Sequence, residues 1–128
     1  MAHRPIHAAN LPKPVGPYSP GMGFERLVFV SGQGAIDPAT GRLVGNDVER
    51  QTEQCLKNVQ AILEAAGSGL AHVLRCGVFL IDMREFHTMN RVYQRMFGDH
   101  RPARTTVQVA GLPGEGLLVE IDAIAYVP

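Results

Sequence analysis

Among the 128 residues of this chain, Arg104 and Glu120 stand out as side chains whose type and setting suit carboxylate binding and proton transfer. Arg104 opens the run Arg104-Thr-Thr-Val-Gln-Val109. Strand side chains alternate between two faces, so Arg104, Thr106 and Gln108 share one face and Thr105, Val107 and Val109 the other. The valine face is expected in the core beneath helices, which leaves the arginine face as a polar wall. A guanidinium in such a wall offers a planar fork that grips a carboxylate through two hydrogen bonds. The plainer reading is a surface or salt-bridge arginine. Glu120 stands mid-strand in the most apolar stretch of the chain, residues 116–127. A carboxylate there is costly unless it is paired or hydrogen-bonded, and burial raises its pKa toward the range useful for proton transfer. Its plainer reading is a glutamate facing outward from a half-exposed strand.

Other candidates carry an ordinary explanation beside the functional one. Asn90 flanks the apolar stripe of a helix, between Phe86 and Tyr93. Its amide is expected to cap neighbouring backbone groups, substrate contact being the alternative. Gly16-Pro-Tyr-Ser19 is a proline-fixed loop presenting Tyr18, which either closes over a pocket or packs on its own domain. In Ser31-Gly-Gln33, Gly32 either lets backbone N–H groups approach a ligand or marks a bulge. His3, His7, His72, His87 and His100 make no metal-ligand pattern with cysteine or acidic residues. There is no nucleophile elbow, phosphate loop or dinucleotide fingerprint, and Gly32-Gln-Gly34 is too short to count as one. Neither Cys55 nor Cys76 lies near a recognisable base, so a nucleophilic cysteine is not expected.

These residues need elements to hold them. Residues 10–23 are rich in proline and glycine and read as an ordered loop. Residues 27–31 are a β-branched and aromatic strand. Asp37-Pro-Ala-Thr-Gly41 is a turn, followed by a short return strand ending at Val44. Asp47 caps a helix expected to run to about Ala66, with Val48, Cys55, Leu56, Val59, Ile62 and Leu63 at helical spacing and Gly67 as the stop. Residues 73–81 form a long strand. Asp82-Met-Arg-Glu85 resembles a capping box opening a helix with the stripe Phe86, Met89, Tyr93, Met96 and Phe97. Residues 105–109 and 117–127 are the last strands. The expected order is β-β-α-β-α-β-β, an α+β domain with two helices on one face of a mixed sheet.

The last strand is apolar on both sides. Leu117, Val119, Ile121, Ala123, Ala125 and Val127 line one side, and Leu118, Ile124 and Tyr126 the other, with Glu120 and Asp122 between them. Two helices cover only one face, so the second face needs another cover. A homo-oligomer is expected, with a partly exposed apolar face as the alternative.

Composition sets the outer bounds. The length suits a single domain over residues 1–128. Hydrophobic residues at 45% and charged residues at 19% favour a packed core over disorder. Twelve basic residues balance twelve acidic ones for a formal charge of 0, which argues against a general nucleic-acid or membrane-surface binder. No apolar run approaches the ~20 residues of a membrane helix. The N-terminal segment has no signal-peptide core, so a cytoplasmic location with reduced, buried cysteines is expected.

Taken together, Arg101-Pro-Ala-Arg-Thr-Thr-Val-Gln-Val-Ala-Gly-Leu-Pro113 and Val119-Glu-Ile-Asp-Ala-Ile-Ala125 closely resemble the C-terminal signature of the RidA (YjgF-type) enamine/imine deaminases. The resemblance continues in Gly16-Pro-Tyr-Ser19, Val30-Ser-Gly-Gln33, Gln51-Thr-Glu-Gln-Cys-Leu-Lys-Asn58 and Asn90-Arg-Val-Tyr93, nearly the whole chain in register. It implies a chorismate-mutase-like fold assembled as a homotrimer, with the sheets lining an inner barrel and three sites in clefts between subunits. It implies hydrolysis of reactive 2-enamine and 2-imine acids, such as 2-aminoacrylate and 2-iminopropanoate, to 2-keto acids and ammonia, with no cofactor or metal. By position, Arg104 matches the arginine that holds the substrate carboxylate and Glu120 the acidic residue linked to the attacking water. Tyr18, Ser31, Gly32 and Asn90 match residues lining the same cleft. Thr106 stands where many members have cysteine, and Pro20 and Gly34 also depart from the common pattern. Such members have also been described as chaperone-like or translation-inhibiting. The competing expectations are therefore a non-catalytic trimer that binds keto or amino acids, or an enzyme acting on a related imine or carbamate.

Overall fold

The computed structural model describes residues 2–128. Ten elements follow one another: β1 (Arg4–Ile6), β2 (Gly21–Phe24), β3 (Leu27–Gln33), β4 (Ile36–Asp37), β5 (Arg42–Leu43), α1 (Val48–Ala65), β6 (Val73–Leu80), α2 (Phe86–Phe97), β7 (Ala103–Gln108) and β8 (Val119–Tyr126). Six strands form one sheet in the order β1-β2-β3-β8-β6-β7, while β4 and β5 make a separate hairpin. The β6–β7 pair is parallel and the other pairs of the large sheet are antiparallel, so the sheet is mixed.

α1 forms where its local signals converge. Asp47 Oδ1 accepts the backbone N–H of Arg50 at 2.8 Å, satisfying one of the four donors that a helix start leaves open. Val48, Cys55, Leu56, Val59, Ile62 and Leu63 are buried on one stripe. Gly67, at φ +83°, takes the left-handed turn beyond the helix, and Ser68 N–H closes back on the Leu63 carbonyl at 2.8 Å. This stripe packs on β8 and β3, where Val119, Ile121, Ala123 and Ala125 and Val28 and Val30 are buried, and Cys76 and Val78 of β6 belong to the same core.

Three expectations change. β2 forms at the end of the expected loop over residues 10–23 and pairs antiparallel with β1, which lies before that loop. Gly21 and Gly23 carry no strand signal, yet Gly21 lets β2 lie close to α1: a Cβ on it would meet Ile62 Cγ2 at 2.8 Å. Asp82 does not open α2 directly. It accepts the Arg84 N–H at 2.9 Å and binds the Arg84 guanidinium at 2.8 Å, while Glu85 N–H bonds the Asp82 carbonyl at 3.1 Å. These bonds tighten Met83–Glu85 into a 3₁₀ turn, and the α-helix begins at Phe86.

The third change is the facing of β7. Its parallel register pairs Arg104 with Cys76 and Thr106 with Val78, both core residues of β6. Arg104 and Thr106 therefore point toward the helix side. Thr105 and Val107 pair with Gly77 and Phe79 and point to the uncovered side, where Val107 is 39% exposed. Alternation separates two faces without saying which is inside; pairing with β6 decides it.

Both helices sit on one side, as expected. The other side carries Leu27, Phe29 and Val107 exposed and Ile124 and Tyr126 half-buried, alongside Glu120 and Asp122.

Candidate functional site

The candidate side chains fall into two groups, one on each side of the sheet. The first surrounds Glu120. β3 departs from regular register with β8 between Val30 and Gln33, so Ser31-Gly32 is a bulge. That bulge brings the backbone beneath the carboxylate: a Cβ on Gly32 would lie 2.7 Å from Glu120 Oε2. Gly32 thus serves close approach as well as the bend. Ser31 Oγ donates to the Ser19 carbonyl at 2.7 Å, and Ser31 N–H to the Pro20 carbonyl at 2.9 Å. These two bonds anchor the proline-fixed loop to β3. Tyr18, on that loop, accepts the Val15 N–H at its hydroxyl at 3.2 Å and keeps 46% of its surface exposed. Tyr18, Gly32, Gly34, Pro113, Leu117 and Glu120 line a cavity of about 660 Å³.

Glu120 is half-buried, and among the described residues no hydrogen bond or ion pair forms to its carboxylate. Burial first, and then the neighbouring Asp122 charge, push its carboxyl above the ordinary glutamate value of 4.5. Asp122 is itself engaged, accepting the Gly77 N–H at 2.7 Å. The result is a carboxylate with free lone pairs, a raised proton affinity and a cavity in front of it.

The second group surrounds Arg104, beneath α2. The Arg104 Cζ lies 4.8 Å from the centre of the Tyr93 ring and 5.6 Å from that of Phe86. Its Nη1 approaches Met89 Sδ at 3.9 Å. Among the described residues the ion pairs join Asp47 to Arg50, Glu53 to Lys57 and Arg95, and Asp82 to Arg84; Arg104 has none. A half-buried guanidinium thus rests on π faces and a thioether with its charge unpaired. Thr106 follows on the same face of β7, also half-buried. Asn90 comes next after Met89 on α2. The expected capping role of its amide is not observed, because Asn90 Oδ1 is buried without a hydrogen-bond partner. The Tyr93 hydroxyl is buried as well, beside the Cys76 thiol.

Within one chain the two groups do not meet. Glu120 pairs with Phe79 and Phe79 with Val107, all on the uncovered side, whereas Arg104 projects from the helix side. The single chain unites Tyr18, Ser31, Gly32 and Glu120, and separately Arg104, Thr106 and the α2 residues.

Phe86, Met89 and Tyr93 read from sequence as a core stripe, and Met89 and Tyr93 are indeed buried. Nothing in the spacing distinguishes a ring packed on valine from a ring packed on a guanidinium. The cysteines are inert. Burial pushes the Cys76 thiol up to about 11 and the Cys55 thiol higher still, where little thiolate forms at neutral pH. Among the described residues no three His, Cys, Asp or Glu side chains converge to hold a metal ion, and no helix is long and apolar enough to cross a membrane.

The family model described as Endoribonuclease L-PSP matches residues 8–127. A RutC family protein of Pyrococcus horikoshii is 48% identical over 121 residues, 94% of this chain and 95% of that one. The human 2-iminobutanoate/2-iminopropanoate deaminase is 39% identical over 125 residues, 98% of this chain and 90% of that one. The crystal structure of E. coli TdcF with bound serine superimposes with a TM-score of 0.90 at 38% identity, covering 96% of this chain and 98% of that one.

Proposed function

The chain belongs to the Endoribonuclease L-PSP family, which is the RidA (YjgF-type) family, and on that premise we propose that it hydrolyses 2-imine acids, and the 2-enamine acids that tautomerise to them, to 2-keto acids and ammonia. The observation that carries this reading is Arg104: a half-buried cation with no carboxylate of its own, held at 4.8 Å from one ring and 5.6 Å from another. Such a fork is built to receive a carboxylate from outside.

Arg104 and Glu120 leave opposite sides of one sheet, so a complete site takes Arg104, Thr106 and Asn90 from one copy and Tyr18, Ser31, Gly32 and Glu120 from another. Association across the uncovered apolar side supplies that second copy, as a homotrimer with sheets lining an inner barrel. Arg104 binds the substrate carboxylate and fixes the C=N carbon beside a water molecule. The iminium is already electrophilic, so a weak nucleophile suffices. Glu120 orients the water and takes its proton as the C–O bond forms. The same carboxyl returns the proton to nitrogen, its carboxylate takes the hydroxyl proton as the C–N bond breaks and the C=O bond forms, and ammonia leaves with that proton as ammonium beside the keto acid. The raised proton affinity of Glu120 suits both directions of transfer. The protein's own residues supply every step, and the cytoplasm, where Cys55 and Cys76 stay reduced, is the place of action.

Two other readings rank lower. A binding protein without turnover is favoured by one finding, the serine bound in the similar TdcF structure. RNA cleavage, which the family description names, finds little support in a formal charge of 0 and a cavity lined by no histidine.

The test is imine hydrolysis, with substrate generated in situ by an amino-acid oxidase or dehydratase. Arg104→Ala should lower kcat/KM at least about 100-fold, the worth of a charge-assisted bidentate contact, with the oligomer intact. Normal turnover in that variant would remove Arg104 from the mechanism. Saturable 2-oxobutanoate binding without ammonia release by the wild type would favour the binding protein.

A further inference from the structure

An arginine that must receive a carboxylate faces two opposed demands. It has to be held in one orientation, because a free guanidinium on an edge strand spreads over many rotamers. It must also stay unneutralised, because a resident carboxylate would compete with the substrate's. An ion pair meets the first demand and defeats the second. Aromatic faces meet both: the ring quadrupole attracts a cation without carrying a net charge.

The side chains under α2 have this form. Phe86 and Tyr93 lie seven residues apart, two turns of helix, so both rings project from one face of α2. The Arg104 Cζ is 4.8 Å from the Tyr93 centroid and 5.6 Å from the Phe86 centroid. Among the described residues the fork's one hydrogen-bond contact, to Met89 Sδ at 3.9 Å, is to a weak acceptor. Tyr93 is 7% exposed, so the contact is largely shielded from water, where cation–π attraction is strongest. No hydrogen bond joins the Tyr93 hydroxyl to Arg104, and that oxygen faces the Cys76 thiol, so the ring makes the contact to the guanidinium.

We propose that Tyr93 and Phe86 are positioning residues which orient the Arg104 fork by cation–π contact and leave its charge and hydrogen-bond donors free for a small carboxylate. The inference rests on Arg104 being the carboxylate site. It predicts that weakening the rings' negative faces loosens acid binding while the chemical step is spared.

The test uses the intact oligomer and two readouts: KM and kcat for imine hydrolysis, and the Kd of 2-oxobutanoate by calorimetry. Tyr93→Phe, which keeps the ring, should match wild type. Phenylalanine analogues with one to three ring fluorines, introduced at position 93, keep the shape and progressively remove the negative face. KM and Kd should rise together with each fluorine, to about 3- to 30-fold for the trifluorinated ring, with kcat within about twofold of wild type. Tyr93→Leu and Phe86→Leu should raise KM in the same direction; the fluorinated series decides the matter if a leucine variant fails to fold. Flat KM and Kd across a folded fluorinated series would overturn the proposal and reduce the rings to packing. So would a fall in kcat at constant KM. If Arg104→Ala abolishes turnover while the series stays flat, only this inference fails; if Arg104→Ala is fully active, it fails together with the functional reading beneath it.

Discussion

Gly32→Ala is a small change with a calculable consequence. Gly32 is absent from the glycines with positive φ, so its backbone accommodates alanine without strain. What opposes the methyl is the Glu120 side chain, with Oε2 at 2.7 Å, Cδ at 2.9 Å and Cγ at 3.2 Å from the added carbon. Ordinary contact begins at 3.4 Å, so the carboxylate retreats by about 0.7 Å. A misplacement of about 1 Å can cost about 100-fold in rate; scaled linearly in free energy, 0.7 Å gives roughly 25-fold. The loss should fall on kcat, since Arg104, the proposed holder of the substrate carboxylate, stands on a different strand. Stability should stay within about 1 kcal/mol, because the displaced group is the end of a flexible side chain and alanine lowers the entropy of the unfolded chain. The assay is steady-state imine hydrolysis beside a thermal melt, with Gly69→Ala as control, since an added Cβ there meets nothing within 4 Å. A Gly32→Ala protein with wild-type Tm and kcat within twofold of wild type would refute the reasoning, for the position of Glu120 would then not govern the reaction.

Two further outcomes follow from the same structure. The carboxyl of Glu120 is held above 4.5 in the folded state, so its protonated form is favoured by folding and its contribution to stability is lost as pH rises past that value. Glu120→Gln should therefore melt higher than wild type at neutral pH, with the gap closing below pH 4.5, while hydrolysis falls at every pH; a lower melting temperature at neutral pH contradicts the burial argument. Asp47→Ala removes the bond at 2.8 Å to the Arg50 N–H and should cost about 1 kcal/mol, roughly 4 °C in Tm, with kcat/KM unchanged. Its exposed ion pair with Arg50 adds little to that figure.

α1 was legible because cap, stripe and stop agree: Asp47, the Val48-to-Leu63 pattern and Gly67 each point to the same helix. The double apolar character of β8 was legible for the same reason, since strand parity is written in the residues. The orientation of β7 was not, because parity names two faces and only pairing with β6 says which is covered. β2 is not legible because Gly21 serves close packing on Ile62 and Gly23 lies against Arg4, neither adding strand propensity. Among the site residues, Arg104 and Glu120 stood out by type and setting, and family resemblance placed them in one cleft. That they leave opposite sides of the sheet depends on registers between strands distant in sequence. The aromatic support of Arg104 was invisible for a similar reason: Phe86 and Tyr93 lie on a stripe indistinguishable from core until a strand is laid beneath it.

The central claim is that one copy supplies Arg104 and another Glu120. Mixing inactive variants measures this directly. Arg104→Ala and Glu120→Gln should each be inactive alone. In a head-to-tail ring assembled at random from equal amounts of the two, each site has about a one-in-four chance of joining an intact Arg104 to an intact Glu120. Co-refolded variants should therefore recover about a quarter of wild-type imine hydrolysis per site. Recovery near that fraction is the predicted result; no recovery in a fully mixed, correctly assembled oligomer would contradict the account.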